Sequence, residues 1–273
     1  VARAVEGAFG IVHTAARVGY WGRYEEFYET NVVGTRTLIE AARSANVERF
    51  VYTSSPSVVI GPAGVCAGGD ESLPYANSRA YAYGATKAEA ERLVLAANGG
   101  VLRTAALRPH LIYGPGDPHI RPRLVERAKK GRLVRVGDGS NRADVTYIEN
   151  AIDAHVALFD ALADPNARAR GRAYFIGDGE PVHLWAFVDA MLDGAKEARP
   201  TRTMSLRTAR AIGAVLEVVY RMFSIAGEPP MTRMAATMLA TSHHFSHEAA
   251  SRDFGWRPSI TTEEGLRRTA LAA

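Results

Sequence analysis

Cysteine is nearly absent from this 273-residue chain, which contains only Cys66. A single cysteine excludes an intrachain disulfide and is typical of a reducing compartment, so we expect a cytoplasmic protein. Because Cys66 lies in a glycine-rich segment without a neighbouring histidine, we expect an inert thiol.

The sequence also lacks a signal peptide and an apolar run that could cross a bilayer. Its best candidate, residues 211–226, contains Glu217 and Arg221 and is shorter than the roughly 20 residues that a span needs. Apolar residues nevertheless recur there at helical spacing. We expect this stripe to pack over a substrate pocket, with peripheral contact to a membrane as the alternative. The stripe consists of Ile212, Val215, Leu216, Val219, Tyr220 and Phe223.

Long blocks of one charge sign are missing as well. Lys and Arg number 33 against 29 acidic residues, which gives a net charge of +4. Since the basic residues are dispersed without interleaved aromatics, we expect no nucleic-acid partner.

Several motifs that would define other enzyme classes are absent. Without a Gly-x-Ser-x-Gly elbow or a Walker loop, hydrolase and nucleotide-triphosphatase chemistry lack their core motifs. No glycine-rich dinucleotide turn precedes the first predicted strand, residues 10–13. The chain begins at Val1, in what resembles the tail of a helix, so we expect an amino-terminal βαβ portion to be missing.

Metal ligands are also poorly represented. His243, His244 and His247 stand close together, but a short strand would place alternate side chains on opposite faces. Because no cysteine or carboxylate stands at ligand spacing, we expect no metal site.

Predicted strands and helices alternate through much of the chain. This order predicts an α/β fold with a doubly wound, parallel, Rossmann-type sheet. Helices dominate from His183 onward, which indicates a smaller, mixed but mostly helical substrate-binding part. We place the cofactor domain at residues 1–114 and the substrate-binding part at 115–273, with 144–178 returning to the sheet domain. Residues 56–79, rich in Gly, Pro and Ser, are predicted to form a loop long enough to act as a flap.

Tyr83 and Lys87 stand four residues apart in a predicted helix, 80–97, so they share one face. Lysine is rare here, with only 4 against 29 arginines, so its presence indicates a need for a compact charge. At about 4 Å and an effective dielectric near 20, such a cation favours phenolate by roughly 4 kcal/mol before desolvation opposes it. We therefore predict that Lys87 lowers the pKa of Tyr83 toward neutrality.

Hydroxyl residues follow a predicted buried strand upstream. Thr53, Ser54 and Ser55 come at its carboxyl end, where parallel α/β sheets bind ligands. We expect a strand-end serine and the Tyr83/Lys87 pair to meet at one substrate oxygen.

An ordered set of motifs resembles the extended short-chain dehydrogenases/reductases over nearly the whole chain. Specific matches in residues 114–118, 122–124 and 146–147 are most similar to the 3β-hydroxysteroid dehydrogenase branch. That branch is similar to sterol-4-carboxylate 3-dehydrogenases and to bacterial reductases of long-chain 2-alkyl-3-oxo acids. The motifs are Val12-His13-Thr14-Ala15-Ala16, Asn31-Val32-Val33-Gly34-Thr35, Tyr52-Thr53-Ser54-Ser55, Tyr83-x-x-x-Lys87, Leu107-Arg108-Pro109-x-x-Ile112-Tyr113-Gly114-Pro115-Gly116-Asp117 and Asp144-Val145-Thr146-Tyr147.

The resemblance implies hydride transfer between NAD or NADP and a secondary alcohol or ketone. It assigns acid/base chemistry to Tyr83, cofactor binding and pKa control to Lys87, and a hydrogen bond to the reacting oxygen to Ser55. Thr53 and Ser54 are weaker candidates for that last role, and Asn31 is expected to order its helix or a proton-relay water. The implied cofactor contacts are Thr14, Ala15, Ala16, Thr53, Tyr83, Lys87, Pro109 and Ile112.

We therefore expect an oxidoreductase that acts on the 3-hydroxy or 3-oxo group of a sterol-like or long-chain lipid. One alternative is a nucleotide-sugar epimerase or dehydratase, for which Arg123, Arg142 and Arg207 could bind a diphosphate. Another is a non-catalytic cofactor-binding protein or an inactive fragment. The resemblance also suggests a homodimer through paired helices 23–45 and 80–97.

Overall fold

The computed structural model describes residues 1–61, 64–76 and 78–272. Its helices are α1 (Ala2–Val5), α2 (Tyr24–Tyr28), α3 (Gly34–Ser44), α4 (Ala82–Ala96), α5 (Ile120–Lys129), α6 (Ile148–Ala161), α7 (Leu184–Gly194), α8 (Leu206–Met222), α9 (Arg233–Ala240), α10 (Glu248–Phe254) and α11 (Thr262–Leu271). Its strands are β1 (Gly10–His13), β2 (Arg49–Thr53), β3 (Cys66–Gly69), β4 (Arg103–Pro109), β5 (Ile112–Tyr113), β6 (Arg135–Val136), β7 (Arg142–Ala143), β8 (Thr146–Tyr147), β9 (Ala173–Ile176), β10 (Val182–His183), β11 (Thr203–Met204) and β12 (His243–Phe245). A π-helical turn, Glu29–Val33, joins α2 to α3, and a 3₁₀ turn, Pro56–Val58, follows β2.

The main sheet has the strand order β1-β2-β4-β9, and all of its pairs are parallel. Parallel strands are covered on both faces, which explains why β2 and β4 are apolar along most of their length rather than alternating with polar residues. Helices connect successive strands, so the predicted α/β, doubly wound, Rossmann-type fold is confirmed.

Side chains alternate between the two faces of the sheet, and each face has its own core. Phe50 and Tyr52 pack against Val94 and other apolar residues of the α3 and α4 layer. Val51 and Leu107 pack on the opposite face with residues of α6 and α10. The two layers therefore bury both faces of the central strands.

A second, mixed sheet lies beyond the main one, with the strand order β10-β7-β12-β3. The predicted 56–79 loop is therefore partly wrong, because Cys66–Gly69 pairs with β12 as strand β3. Pro62, Ala63 and Asn77 of that segment lie outside the described residues. The remaining strands form two short parallel pairs, β11-β6 and β5-β8.

The predicted packing of the 211–226 stripe over the pocket is also wrong in large part. In α8 the buried residues are Ala209, Gly213 and Glu217, whereas Val215 and Phe223 are exposed. None of the helices within 1–61, 64–76 and 78–272 combines the length and apolar character that crossing a bilayer requires.

Candidate active site

The end of β2 and the start of α4 meet because of a glycine. A Cβ atom added to Gly84 would lie 2.6 Å from the carbonyl oxygen of Ser57, closer than a real contact allows. Glycine at this position therefore lets the Tyr83 helix pack directly on the backbone that follows Ser55.

Most of the predicted site residues line one cleft of about 1040 Å³ at the carboxyl ends of β1, β2 and β4. Ala15 is the exception among the predicted contacts, because its neighbours Thr14 and Ala16 line the cleft and it does not. The predicted residues that line the cleft are Thr14, Ala16, Thr53, Ser54, Ser55, Tyr83, Lys87, Pro109 and Ile112.

Lys87 is 1% exposed and is held by two groups of β2. Its Nζ donates to the carbonyl oxygen of Thr53 at 2.6 Å and lies 4.0 Å from the centre of the Tyr52 ring. Burial lowers the pKa of Lys87 to about 7, although the Glu91 carboxylate opposes that shift. Glu91 is already ion-paired with Arg108 at 2.6 Å, so it compensates the Lys87 charge only in part.

Tyr83 does not have the lowered pKa that its spacing from Lys87 predicts. Burial raises the pKa of its phenol, and a hydrogen bond with the Ser55 side chain opposes the rise. The reason is geometric: the Lys87 ammonium points to the Thr53 carbonyl group, and desolvation of the phenolate dominates. A neutral, protonated Tyr83 is suited to donate a proton to a developing alkoxide.

Hydroxyl groups extend from Ser55 along the cleft. The Ser55 Oγ donates to Ser57 Oγ at 3.1 Å, and Ser57 Oγ lies 3.2 Å from the Tyr81 hydroxyl oxygen. Ser55 also caps the 3₁₀ turn by accepting from the Ser57 amide at 3.2 Å, which fixes its position beside Tyr83.

The two other strand-end hydroxyls have different environments. Thr53 Oγ1 lies 2.7 Å from His155 Nε2, whose ring Nδ1 is 2.6 Å from the Ala151 carbonyl oxygen. An Nδ1–H donor to Ala151 leaves Nε2 as the acceptor for Thr53, so the Thr53 hydroxyl is occupied. Ser54 Oγ, by contrast, is buried and lacks a hydrogen-bond partner among the described residues.

Asn31 lies in the π-helical turn that interrupts the predicted 23–45 helix. Its Oδ1 accepts from the Arg17 amide at 2.7 Å, and its Nδ2 donates to the Arg17 carbonyl oxygen and to Thr86 Oγ1. Thr86 directly precedes Lys87, so Asn31 ties the small-residue segment after β1 to the Tyr83 helix. This geometry supports an ordering role for Asn31.

Sequence inspection missed a buried histidine pair in the cleft wall. His110 Nε2 lies 2.7 Å from His243 Nδ1, and His243 Nε2 lies 2.8 Å from the Met238 carbonyl oxygen. The sequence did contain one indication of this pair, because His110 lies between Pro109 and Ile112, two residues predicted to contact the cofactor. Within the described parts of the chain, no three histidine, cysteine or carboxylate side chains are grouped as metal ligands.

The far wall of the cleft is apolar and comes from α7 and α9. Its residues include Trp185, Phe187, Met238 and Leu239, and none of the apolar stripe residues predicted within 211–226. Of the three arginines considered for a diphosphate, only Arg123 lines the cleft, and it is ion-paired with Glu228 at 3.1 Å. Arg142 donates to the Pro181 carbonyl oxygen at 2.7 Å, and Arg207 lies on the surface of α8.

The cleft suits the nicotinamide half of a dinucleotide. Small residues at positions 14 and 16 leave the backbone open to a ligand, the buried Ser54 hydroxyl offers a free hydrogen-bonding group, and Lys87 adds an ammonium donor to the same cleft. The given sequence contains no glycine-rich phosphate turn.

A family model described as the 3-beta hydroxysteroid dehydrogenase/isomerase family matches residues 1–207. The chain belongs to that family. Its enzyme class, NAD(P)-dependent oxidoreductases acting on alcohol and ketone groups, and its nicotinamide cofactor are thereby confirmed at the family level.

Named relatives cover nearly all of the chain. A 2-alkyl-3-oxoalkanoate reductase from Stenotrophomonas maltophilia is 46% identical over 269 residues, which are 98% of this chain and 81% of the relative. The decarboxylating sterol-4-alpha-carboxylate 3-dehydrogenase of Mus musculus is 34% identical over 97% of this chain and 74% of the relative.

Solved structures support the fold. A UDP-glucuronic acid 4-epimerase from Bacillus cereus in complex with NAD matches with a TM-score of 0.71 and 21% identity, over 99% of this chain and 76% of that chain. An epimerase from Methanothermobacter thermautotrophicus matches with a TM-score of 0.74 and 21% identity, over 99% and 73% of the two chains.

Proposed function

We propose that this chain interconverts a 3-hydroxy and a 3-oxo group on a long-chain or sterol-like lipid, with NAD or NADP as the redox partner. The observation that carries the proposal is the convergence of Tyr83, Ser55 and Lys87 on a cleft with an apolar far wall. When bound, the nicotinamide donates or accepts the hydride at the reacting carbon.

In the reductive direction, Tyr83 donates its phenolic proton to the carbonyl oxygen as that oxygen gains negative charge. Ser55 donates a hydrogen bond to the same oxygen, so the two residues orient the carbonyl carbon toward the hydride donor. Lys87 would hold the cofactor ribose from its buried position beside the Thr53 carbonyl group. Oxidation of the alcohol uses the same groups in reverse.

The substrate class follows from the cleft and from the relatives. Trp185, Phe187 and Leu239 provide an apolar surface that an alkyl chain or a sterol ring would bury. The names of the two relatives denote a 3-oxoalkanoate reductase and a sterol-carboxylate 3-dehydrogenase, both acting at position 3 of a carboxylate-bearing lipid. We give a 2-alkyl-3-oxoalkanoate precedence, because that relative is the more similar.

The sugar-nucleotide alternative has weaker support. The epimerases share the fold at low sequence identity, and the Arg142 and Arg207 side chains lie away from the cleft. Arg123 and Arg127 do line the cleft, but Arg123 is ion-paired with Glu228 and the wall from α7 and α9 is apolar, which disfavours a diphosphate.

The proposal is tested by following the transfer of deuterium from the cofactor to the product. The protein is incubated with NADH or NADPH deuterated at nicotinamide C4 and with a 2-alkyl-3-oxo acid, and the product is analysed by mass spectrometry. We expect deuterium at C3 of a 3-hydroxy acid from one of the two C4 epimers of the cofactor. Cofactor binding with turnover of UDP-sugars, and none of oxo acids, would reject the proposal.

A further inference from the structure

One face of α5 lines the cleft and brings two arginines to it. The four residues at the i, i+3, i+4 and i+7 positions of this face all line the cleft; they are Ile120, Arg123, Leu124 and Arg127. Ile120 and Leu124 pack against the apolar cluster that contains Phe187. Because these two apolar residues fix the rotation of the helix, the arginines that share their face are directed to the same cleft.

The carboxylates near this face leave one arginine without a counter-ion. Glu228, from the segment between α8 and α9, is the only carboxylate among the described residues that line the cleft, and it pairs with Arg123 at 3.1 Å. Glu126, next to Arg127 in the sequence, pairs with Lys130 instead. Arg127 is half-buried and forms no ion pair or side-chain hydrogen bond with a described residue. Two arginines against one glutamate leave one uncompensated positive charge at this wall.

A row of phenols connects this charge to the proposed proton donor. The Tyr83 ring lies 6.0 Å from the Tyr81 ring, which stacks on Tyr20 at 5.8 Å. Burial raises the pKa of the Tyr20 phenol to about 12, and Tyr83 adds to that rise. Glu228 raises the same pKa further, whereas Arg123 lowers it. Since the effect of a charge falls with distance, the Arg123–Glu228 pair lies close to the phenols that adjoin Tyr83.

The acid proposed as substrate has a negative charge close to its reacting group. In a 3-oxo acid the carboxyl carbon is two bonds from the carbonyl carbon, so the carboxylate lies within about 5 Å of the oxygen that Tyr83 protonates. A guanidinium group can bind a carboxylate through two parallel N–H···O bonds, and such charge-assisted bonds are stronger than neutral ones. One uncompensated arginine matches the single charge of a carboxylate, whereas a diphosphate carries more.

We propose that Arg127 and Arg123 form a subsite for the carboxylate of the substrate, in which Arg127 is the main cation. Glu228 competes with the substrate for Arg123. The subsite selects free acids over their esters and over simple ketones. This inference rests on the proposed function, because it names the group that accompanies the 3-oxo group.

Equilibrium binding tests the subsite without turnover. A short-chain 2-alkyl-3-hydroxy acid, or its methyl ester, is titrated into the protein by isothermal titration calorimetry with NADH or NADPH present, a combination that cannot react. We expect the parent to bind the acid at least about tenfold more tightly than the ester. Arg127→Gln should weaken acid binding about 10- to 100-fold, as loss of a charge-assisted hydrogen bond does, and should leave ester binding unchanged.

Glu228→Gln provides a test of opposite sign. It releases Arg123 from its ion pair, so it should tighten acid binding about two- to fivefold, the range expected for a pair in which the arginine is 55% exposed. Arg123→Gln should weaken acid binding, but less than Arg127→Gln does. Neither change should alter the affinity for the ester.

The matched control is Arg121→Gln, because Arg121 lies on the same helix and does not line the cleft. It should bind the acid as the parent does, and all variants should keep the parent melting temperature. No binding of the acid by the parent, equal affinity for acid and ester, or unchanged acid binding by Arg127→Gln would overturn the proposal. So would an Arg127→Gln variant that loses affinity for NADH instead, since the arginine would then bind the cofactor. A negative deuterium experiment, by contrast, would reject the proposed reaction and leave the acid-binding result as it stands.

Discussion

Replacing Lys87 with methionine should stabilise the folded chain in a pH-dependent way, although it removes a proposed catalytic group. The Lys87 ammonium is buried, and burial lowers its pKa from 10.5 to about 7. Its contacts with the Thr53 carbonyl group and the Tyr52 ring replace water only in part. Holding the charge in the folded state therefore costs free energy that a methionine of similar length would not.

The sign follows from proton binding. Because the folded pKa lies below the unfolded value, the unfolded chain binds more protons between about pH 7 and pH 10.5, and stability rises with pH across that window. Below pH 7, the buried charge of Lys87 lowers the free energy of unfolding by its full amount, and this loss shrinks as the pH rises above 7. At about 1.4 kcal/mol per pH unit, the free energy of unfolding gains about 3 kcal/mol between pH 7 and pH 9.

Urea unfolding at pH 6 and pH 9 measures this directly. We expect the stability gained by Lys87→Met to be about 3 kcal/mol larger at pH 6 than at pH 9. Lys129→Met is the control, because Lys129 is mostly exposed beside Glu197 and should show no such difference. An effect of Lys87→Met that is equal at both pH values within about 0.5 kcal/mol would refute the reasoning.

Three further substitutions test the supports of the site. Asn31→Ala removes the bonds to Arg17 and Thr86 and should cost about 2–3 kcal/mol in urea unfolding; an unchanged midpoint would contradict its ordering role. Gly84→Ala should cost about 1–3 kcal/mol and lower turnover, whereas Gly61→Ala, whose added Cβ meets no described atom within 4 Å, should do neither in parallel melts and assays. Arg108→Met leaves the buried Glu91 carboxylate without its arginine, though still bonded to the Tyr75 hydroxyl, which should cost about 3–5 kcal/mol of unfolding free energy. A second change, Glu91→Leu, should recover most of this loss in the same melts; no recovery would argue against a charge effect.

Local sequence patterns predicted the strands and the helix that carry the site residues. The buried character of β2 and β4, and the helical spacing of Tyr83 and Lys87, each follow from a few neighbouring residues. Parallel strands bring their carboxyl ends to one edge, so the meeting of Ser55 with Tyr83 was predictable without coordinates.

What the sequence did not predict depends on contacts between distant residues. The second sheet pairs residues 66–69 with 243–245, and the His110–His243 contact spans 133 positions. The direction of the Lys87 ammonium depends on the Thr53 backbone, which no spacing rule includes. Periodicity predicted an apolar stripe within 211–226, but not which apolar residues face outward, because Gly213 and Glu217 fix that by packing on α9.

The central claim is that Tyr83 exchanges the proton with the reacting oxygen. The most direct measurement compares NAD(P)H-dependent reduction of a 2-alkyl-3-oxo acid by Tyr83→Phe and Tyr81→Phe, two phenols of the same cleft. We expect kcat to fall at least about 100-fold for Tyr83→Phe and to change by less than about threefold for Tyr81→Phe, with cofactor binding retained in both. Full turnover by Tyr83→Phe, or a larger loss in Tyr81→Phe, would contradict the account.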